Sequence, residues 1–131
     1  MPRYMSVCAY GRVIGILLSF CFLSACAVMT EKECLNADWA TYGFLDGSQG
    51  YQKTFINTRT QACQEHGVTV GVDAYLQGWQ RGVRQYCTPD NAFSQGKQGA
   101  DYQGICPLDM EKAFAHYYQE GLIVHAAHQR V

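Results

Sequence analysis

The sequence predicts a mainly α fold: a small helical domain of about four helices, stapled by disulfides, behind a cleaved signal peptide. Three observations carry that prediction. Apolar and aromatic residues recur at three- and four-residue spacing through most of residues 36–128, the period of a helix face and not of a strand. Four cysteines, Cys34, Cys63, Cys87 and Cys106, follow an earlier one at Cys26, and an even set in an exported domain reads as a disulfide framework. The first 25 residues have the layout of an export signal.

The leader comes first. Arg3 and Arg12 make a positive n-region, and Val13 to Phe22 is an apolar run of ten residues. Such a run is too short to cross a bilayer as a helix, which takes about 20 residues. Leu23-Ser24-Ala25-Cys26 follows and resembles the lipobox of bacterial lipoproteins. There, diacylglyceryl is attached to the thiol and cleavage falls just before it, leaving small residues at the cut. The expected organisation is therefore a lipoprotein signal peptide at 1–25, a lipidated tether at 26–33 and a helical domain at 34–131. Acyl chains such as palmitate on Cys26 would anchor the protein, stably once two or more are present. Ala27 stands where an Asp commonly retains enterobacterial lipoproteins in the inner membrane, so the expected address is the outer membrane, facing the periplasm. Ordinary cleaved export, or an uncleaved anchor, is the bland alternative.

Within the domain, Trp39, Tyr42 and Leu45 mark a first helix from Asn36, a possible cap, to about Gly50. Phe55, Ile56, Thr60 and Cys63 mark a second over 54–65. Val68 to Val72 is rich in β-branched residues and reads as a short extended piece. Asp73 is read as the cap of a third helix over 74–86. Residues 92–105 hold Gly96, Gly99 and Gly104 and read as loop with one helical turn at most. Pro107 opens a fourth helix, which runs to about His128. Cys34 precedes one helical stretch and Cys63 closes the next, and Cys87 and Cys106 flank a connection in the same way. Antiparallel packing would join Cys34 to Cys63 and Cys87 to Cys106.

An aromatic–glycine pattern recurs: Trp39-x3-Gly43-x3-Gly47, then Tyr75-x2-Gly78-Trp79-x2-Gly82, and more faintly Tyr118-x2-Gly121. On a helix such glycines open a groove for a close neighbour. The stretches carry Asp46, Gln80 and Arg81, which excludes a membrane GxxxG dimer. Packing outweighs a ligand loop as the reading, and no GxGxxG or Walker sequence is present.

Set in order, Asp38-Trp39-x3-Gly43-x2-Asp46-Gly47-x2-Gly50, Cys63-x3-Gly67, Asp73-x-Tyr75-x2-Gly78-x3-Gly82-x3-Tyr86-Cys87 and Gly96-x2-Gly99-x2-Tyr102-x-Gly104-x-Cys106-Pro107 resemble the DUF2799 family of Gram-negative lipoproteins. The resemblance covers about residues 34–122. It implies lipoprotein status and helical character; it implies no activity and carries over no catalytic residue.

Several chemistries fail on spacing. With Arg3 and Arg12 removed, eight of ten basic residues remain against eleven acidic ones, and they are unclustered, unlike a nucleic-acid surface. The cysteines have neither CxxC nor paired-His spacing for zinc or redox work. His125 and His128 stand at i, i+3, but His116 lies on another side of the helix and HExxH is missing. No metal or cofactor is expected. Asp38 and Asp73 read as helix caps sooner than as acid/base groups. Asp46, set among aromatics and glycines, is the most interesting carboxylate. Trp39, Asp46, Tyr75 and Trp79 form the candidate ligand or partner surface, with core packing as the plainer account of each. The expected role is non-enzymatic binding or scaffolding at the membrane, with an envelope protein or peptidoglycan as partner. The alternatives are a glycan-binding module and, behind it, a small periplasmic hydrolase.

Overall fold

A computed structural model describes residues 28–131. The signal peptide and the lipidation position Cys26 lie outside the described residues. Within them the chain forms six α-helices and one 3-10 turn, with no strand: α1 Glu31–Leu35, α2 Trp39–Ser48, the turn Lys53–Phe55, α3 Ile56–Gln64, α4 Val72–Tyr86, α5 Pro89–Gln98 and α6 Leu108–Gln129. The fold is mainly helical as expected, with two more helices than the sequence reading gave.

The first extra helix, α1, lies in the stretch read as tether. Its five residues are held by a reciprocal cap: Glu33 N–H donates to Thr30 Oγ1 at 3.3 Å, and Thr30 N–H donates to Glu33 Oε2 at 2.7 Å. This satisfies two amides that a short helix otherwise leaves bare. The folded domain therefore starts before Cys34, with Met29 already buried. Asn36 ends α1 instead of capping α2, donating its side-chain amide to Lys32 O at 2.8 Å. Asp38 is the α2 cap, accepting from Ala40 N–H at 3.1 Å and Thr41 N–H at 3.3 Å.

The second extra helix, α5, replaces the predicted 92–105 loop. Thr88 caps it by accepting from Asn91 N–H at 3.3 Å, and Pro89 fills the first position, where its missing N–H costs nothing. Gly99 stops it in the left-handed region at φ 68°. Val68 to Gly71 forms no strand; Val68 N–H donates to Cys63 O and Val70 O accepts from Val72 N–H, both at 3.0 Å, so these groups are satisfied without a ladder. Val70 instead enters the core. Gly71 occupies the α4 cap position and Asp73 sits in the first turn, where its charge suits the helix dipole without capping it.

Two tight helix pairs, α2 with α4 and α5 with α6, form the body of the domain. In the first, Ala40 faces Gly78, Gly43 faces Tyr75 and Trp79, and Phe44 and Ser48 face Gly82. The numbers rise together, so the two helices run parallel. Their connection must then cross the full helix length, and residues 49–71, containing α3, supply it. In the second pair Gly96 faces Tyr118 and Leu122, and Gly99 faces His125, again in parallel. Neither parallel pair is one of the hairpins expected from sequence, which joined the 36–50 helix to the 54–65 helix and the 74–86 helix to the one opened by Pro107. At each crossing a Cβ on Gly43, Gly78, Gly82, Gly96 or Gly121 would run into a backbone carbonyl oxygen of the partner helix. The packing role of the glycines is observed, and Gly96, read as a loop residue, belongs with them.

Two apolar clusters fill the interior. Met29, Cys34, Ile56, Cys63, Val70 and Tyr75 form one; Val83, Cys87, Ala92 and Phe114 form the other, and Trp79 packs against both. The disulfides Cys34–Cys63 and Cys87–Cys106 are both present, with Cα separations of 5.5 and 5.6 Å. The pairing matches the sequence expectation, while its geometry differs: Cys34 sits inside α1, and the first bridge ties α1 to the end of α3.

Candidate functional site

Asp46 is the one buried charged residue among the described residues, 2 % exposed. It lies on α2 one helical turn from Gly43 and faces α3 and α4. Arg59 of α3 donates from Nε to Oδ2 at 2.7 Å and from Nη2 to Oδ1 at 2.6 Å. Tyr75 of α4 donates its hydroxyl to Oδ2 at 2.7 Å. The Arg59 guanidinium sits over the rings of Tyr42 at 4.7 Å and Phe55 at 5.3 Å, a stacking geometry that suits a planar cation. Phe55 in turn stacks on Tyr51, with centroids 4.7 Å apart.

The electrostatics follow. The carboxylate hydrogen bonds raise the Arg59 pKa, and burial is the leading cause that pushes the Tyr75 hydroxyl far above its ordinary range, with the hydrogen bond to Asp46 next. Both groups stay protonated at any physiological pH. Both carboxylate oxygens accept strong bonds, and no buried side-chain nitrogen or oxygen among the described residues lacks a partner. The triad clamps three helices together and presents neither a free base nor a nucleophile.

The four residues read as one surface therefore separate. Asp46 and Tyr75 are interior, drawn in by the glycine-mediated approach of α2 to α4, and they are not available to a partner. Trp39 is half-buried beside Tyr42, their ring centroids 5.8 Å apart. Only Trp79 borders an opening. Its indole N–H donates to Tyr51 O at 2.8 Å, which fixes the ring in place. On one side of it, Gln77, Gln80, Arg81 and Arg84 of α4 face Ile105 and Pro107 across a cleft of about 610 Å³. On the other, Gln52, Lys53 and Thr54 face Gln103 and Gly104 across about 440 Å³. Trp79 and Ile105 line both lobes. A bond from Gln52 Nε2 to Gln103 Oε1 at 3.0 Å closes part of the rim. Arg84 is paired with Asp109 at 2.5 Å, both side chains more than half exposed, where such a pair contributes little.

A second polar clamp braces this rim from behind. Tyr102 donates to Glu111 and accepts from Cys106 N–H at 3.1 Å, while its ring packs on Phe114 at 4.6 Å. The loop 99–107 is thereby held at its centre as well as by the Cys87–Cys106 bridge.

The remaining candidates are spent locally. Asp38 caps α2, and the Thr41 hydroxyl holds its carboxyl below the usual range. Nδ1 of His125 lies 3.1 Å from Lys97 O and Nδ1 of His128 lies 2.9 Å from Val124 O. Among the described residues no three His, Cys, Asp or Glu side chains gather as a metal group. Sequence reasoning missed Arg59 and Ile105. A lone Arg on a polar helix and a lone Ile in a glycine-rich stretch give no local signal; both roles are set by tertiary contact.

A family model described as "Protein of unknown function (DUF2799)" matches residues 38–122. No curated protein and no solved structure matches the chain.

Proposed function

The chain belongs to the DUF2799 family, and from that premise we propose that it is a lipid-anchored envelope protein with a non-enzymatic binding or scaffolding role. In this reading residues 1–25 direct export, Cys26 carries the lipid, and the domain faces the periplasm from the outer membrane. The observation that carries the non-enzymatic part is the saturation of Asp46 by Arg59 and Tyr75. General acid–base work needs a group free to exchange a proton within reach of substrate, and the most promising carboxylate is committed to structure. The cleft across Trp79 remains as the binding feature.

Two experiments test this. Cys26→Ser should abolish incorporation of labelled fatty acid and leave the precursor unprocessed; undiminished labelling would end the anchoring claim. A photo-cross-linker placed at Gln80, in the cleft, should give a discrete adduct in intact cells, while one at Gln129 should not. Equal patterns from both positions would remove the cleft from the reading.

A glycan- or peptidoglycan-binding role is the second reading, and one observation favours it. Trp79 stands between Gln77, Gln80, Gln52 and Gln103, so an aromatic body is ringed by amides that both donate and accept. Sugar rings offer the matching combination of apolar faces and hydroxyls. The protein should then sediment with purified sacculi, and Gln80→Ala should reduce the bound fraction several-fold. A protein that stays in the supernatant at all salt concentrations would exclude this reading and leave the first intact.

A further inference from the structure

The fold begins almost at the proposed lipid. Met29 is 1 % exposed and packs in the cluster with Cys34, Ile56, Cys63, Val70 and Tyr75. Its sulfur lies 3.9 Å from Cys63 Sγ. Thr30, the next residue, is locked in the α1 capping box, and α1 is bridged to α3 through Cys34–Cys63. Position 29 is thus fixed to the rigid body by burial, by a cap and by a nearby covalent bridge. Only Ala27 and Val28 separate it from Cys26. Three Cα steps span at most about 11 Å, less than the radius of gyration of roughly 13 Å for a domain of this size. A domain on so short a link has no room to swing away from its anchor. A flexible spacer would need on the order of 15 residues to give an r.m.s. reach of about 20 Å.

We propose that the face formed by α1 and the second half of α3 lies directly on the lipid headgroups, so that the domain is held flush and in one orientation. This rests on the reading that Cys26 carries the lipid. The face fits such a neighbour. Val28, ahead of α1, and Leu35, within it, are 47 % and 64 % exposed, and Thr58, Gln61, Glu65 and His66 surround the point where Met29 enters. Glu31, Glu33 and Glu65 outnumber Lys32 along α1 and the end of α3, so anionic headgroups give no attraction there and the covalent link sets the contact. The 440 Å³ lobe of the cleft begins at Lys53 and Thr54, before the start of α3, whereas Met29 packs by Cys63 at its end. The nine residues of α3 hold these points about 13 Å apart at 1.5 Å per residue. The cleft and the recess around Met29 share no lining residue.

The test uses the full-length protein purified with its lipid and placed on a supported bilayer of phosphatidylethanolamine and phosphatidylglycerol. Mass spectrometry first establishes diacylglyceryl on Cys26. Neutron reflectometry should then show protein density starting at the headgroups with no water layer. A Gly/Ser insert of about 15 residues between Ala27 and Val28 should open a hydrated gap of roughly 20 Å and lower the tryptophan fluorescence anisotropy. A lipidated wild type with the same gap as the insert variant would overturn the flush geometry while keeping the anchor. Absence of lipid on Cys26 would overturn the anchoring reading, and the docking with it.

Discussion

Asp46 and Arg59 meet in a parallel two-bond fork, at 2.7 and 2.6 Å, with the carboxylate almost wholly buried and the guanidinium side chain 12 % exposed. The fork joins helices separated in sequence by the chain reversal at 49–55, and Tyr75 ties the same carboxylate to α4. Removing the cation strands a buried charge, which is far costlier than removing the pair together. Arg59→Ala should destabilise the domain by about 3 kcal/mol, and Asp46→Asn by about 1–3 kcal/mol, since the amide keeps one acceptor. Arg59→Lys should rescue only part, because an ammonium cannot form the fork or stack on Tyr42 and Phe55. Urea unfolding of the three variants measures the order. Equal stability of Arg59→Ala and wild type would mean that the pair is solvated and not a clamp.

The sequence made the helical class, the glycine contacts and both disulfides legible, because each depends on local period or on residue type. It hid whatever depends on partners. Asp46 gave no sign that Arg59 would reach it, since the two are joined only when α2 and α3 dock. The missed helix α5 is a different failure. Thr88-Pro89-Asp90 is a start signal and Gly99 a stop, but the glycine-rich composition of 92–105 outweighed them. Gly96 is helical because it serves a close approach to Gly121, and that reason lies in α6. Trp79 was legible as interesting and not as the divider of a cleft, because the opposite wall comes from Ile105.

The tyrosines predict an alkaline limit. Burial, seconded by the hydrogen bond to Glu111, pushes the Tyr102 pKa up to about 12. The unfolded chain releases that proton near pH 10, while the folded domain still holds it. The contribution is full below pH 10 and is lost as pH rises from about 10 to about 12. Tyr75 and Tyr86 are raised for the same first cause and act in the same direction. The melting temperature should fall steeply above about pH 10, and Tyr102→Phe should show a shallower fall. Titration of tyrosinate absorbance gives an independent check: a set of tyrosines that all ionise like free tyrosine would contradict the buried geometry.

The two disulfides should separate by accessibility. Their closed loops, 29 and 19 residues in sequence separation, give nearly equal stabilisation of roughly 3–4 kcal/mol each in the chain-entropy model. Cys34 and Cys63 are both buried, whereas Cys106 is half-buried at the edge of the cleft. Thiolate attack needs access to sulfur, so mild reductant followed by alkylation should label Cys87 and Cys106 first. Labelling of Cys34 and Cys63 ahead of them would mean that α1 opens more readily than the cleft wall.

The glycine contacts lead to a reversal of sign. In an exposed helix Gly→Ala stabilises by about 1 kcal/mol, because alanine loses less backbone entropy. At Gly78 the added Cβ would strike the Ala40 carbonyl oxygen, and at Gly96 that of Tyr118. A backbone oxygen in the middle of a helix cannot swing aside as a flexible side chain can, so the helices must part along their length. Gly78→Ala and Gly96→Ala should therefore both destabilise, by about 1–3 kcal/mol, with Leu worse at each. Gln77→Ala, next to Gly78 but exposed, should be neutral or slightly stabilising. The comparison isolates the cause, since Gln77→Ala tests the helix and Gly78→Ala tests the crossing. Thermal unfolding of the three alanine variants decides it. A Gly78→Ala protein that melts at or above wild type would show that α2 and α4 have slack between them, and the parallel pair would no longer account for the recurrence of glycine after each aromatic.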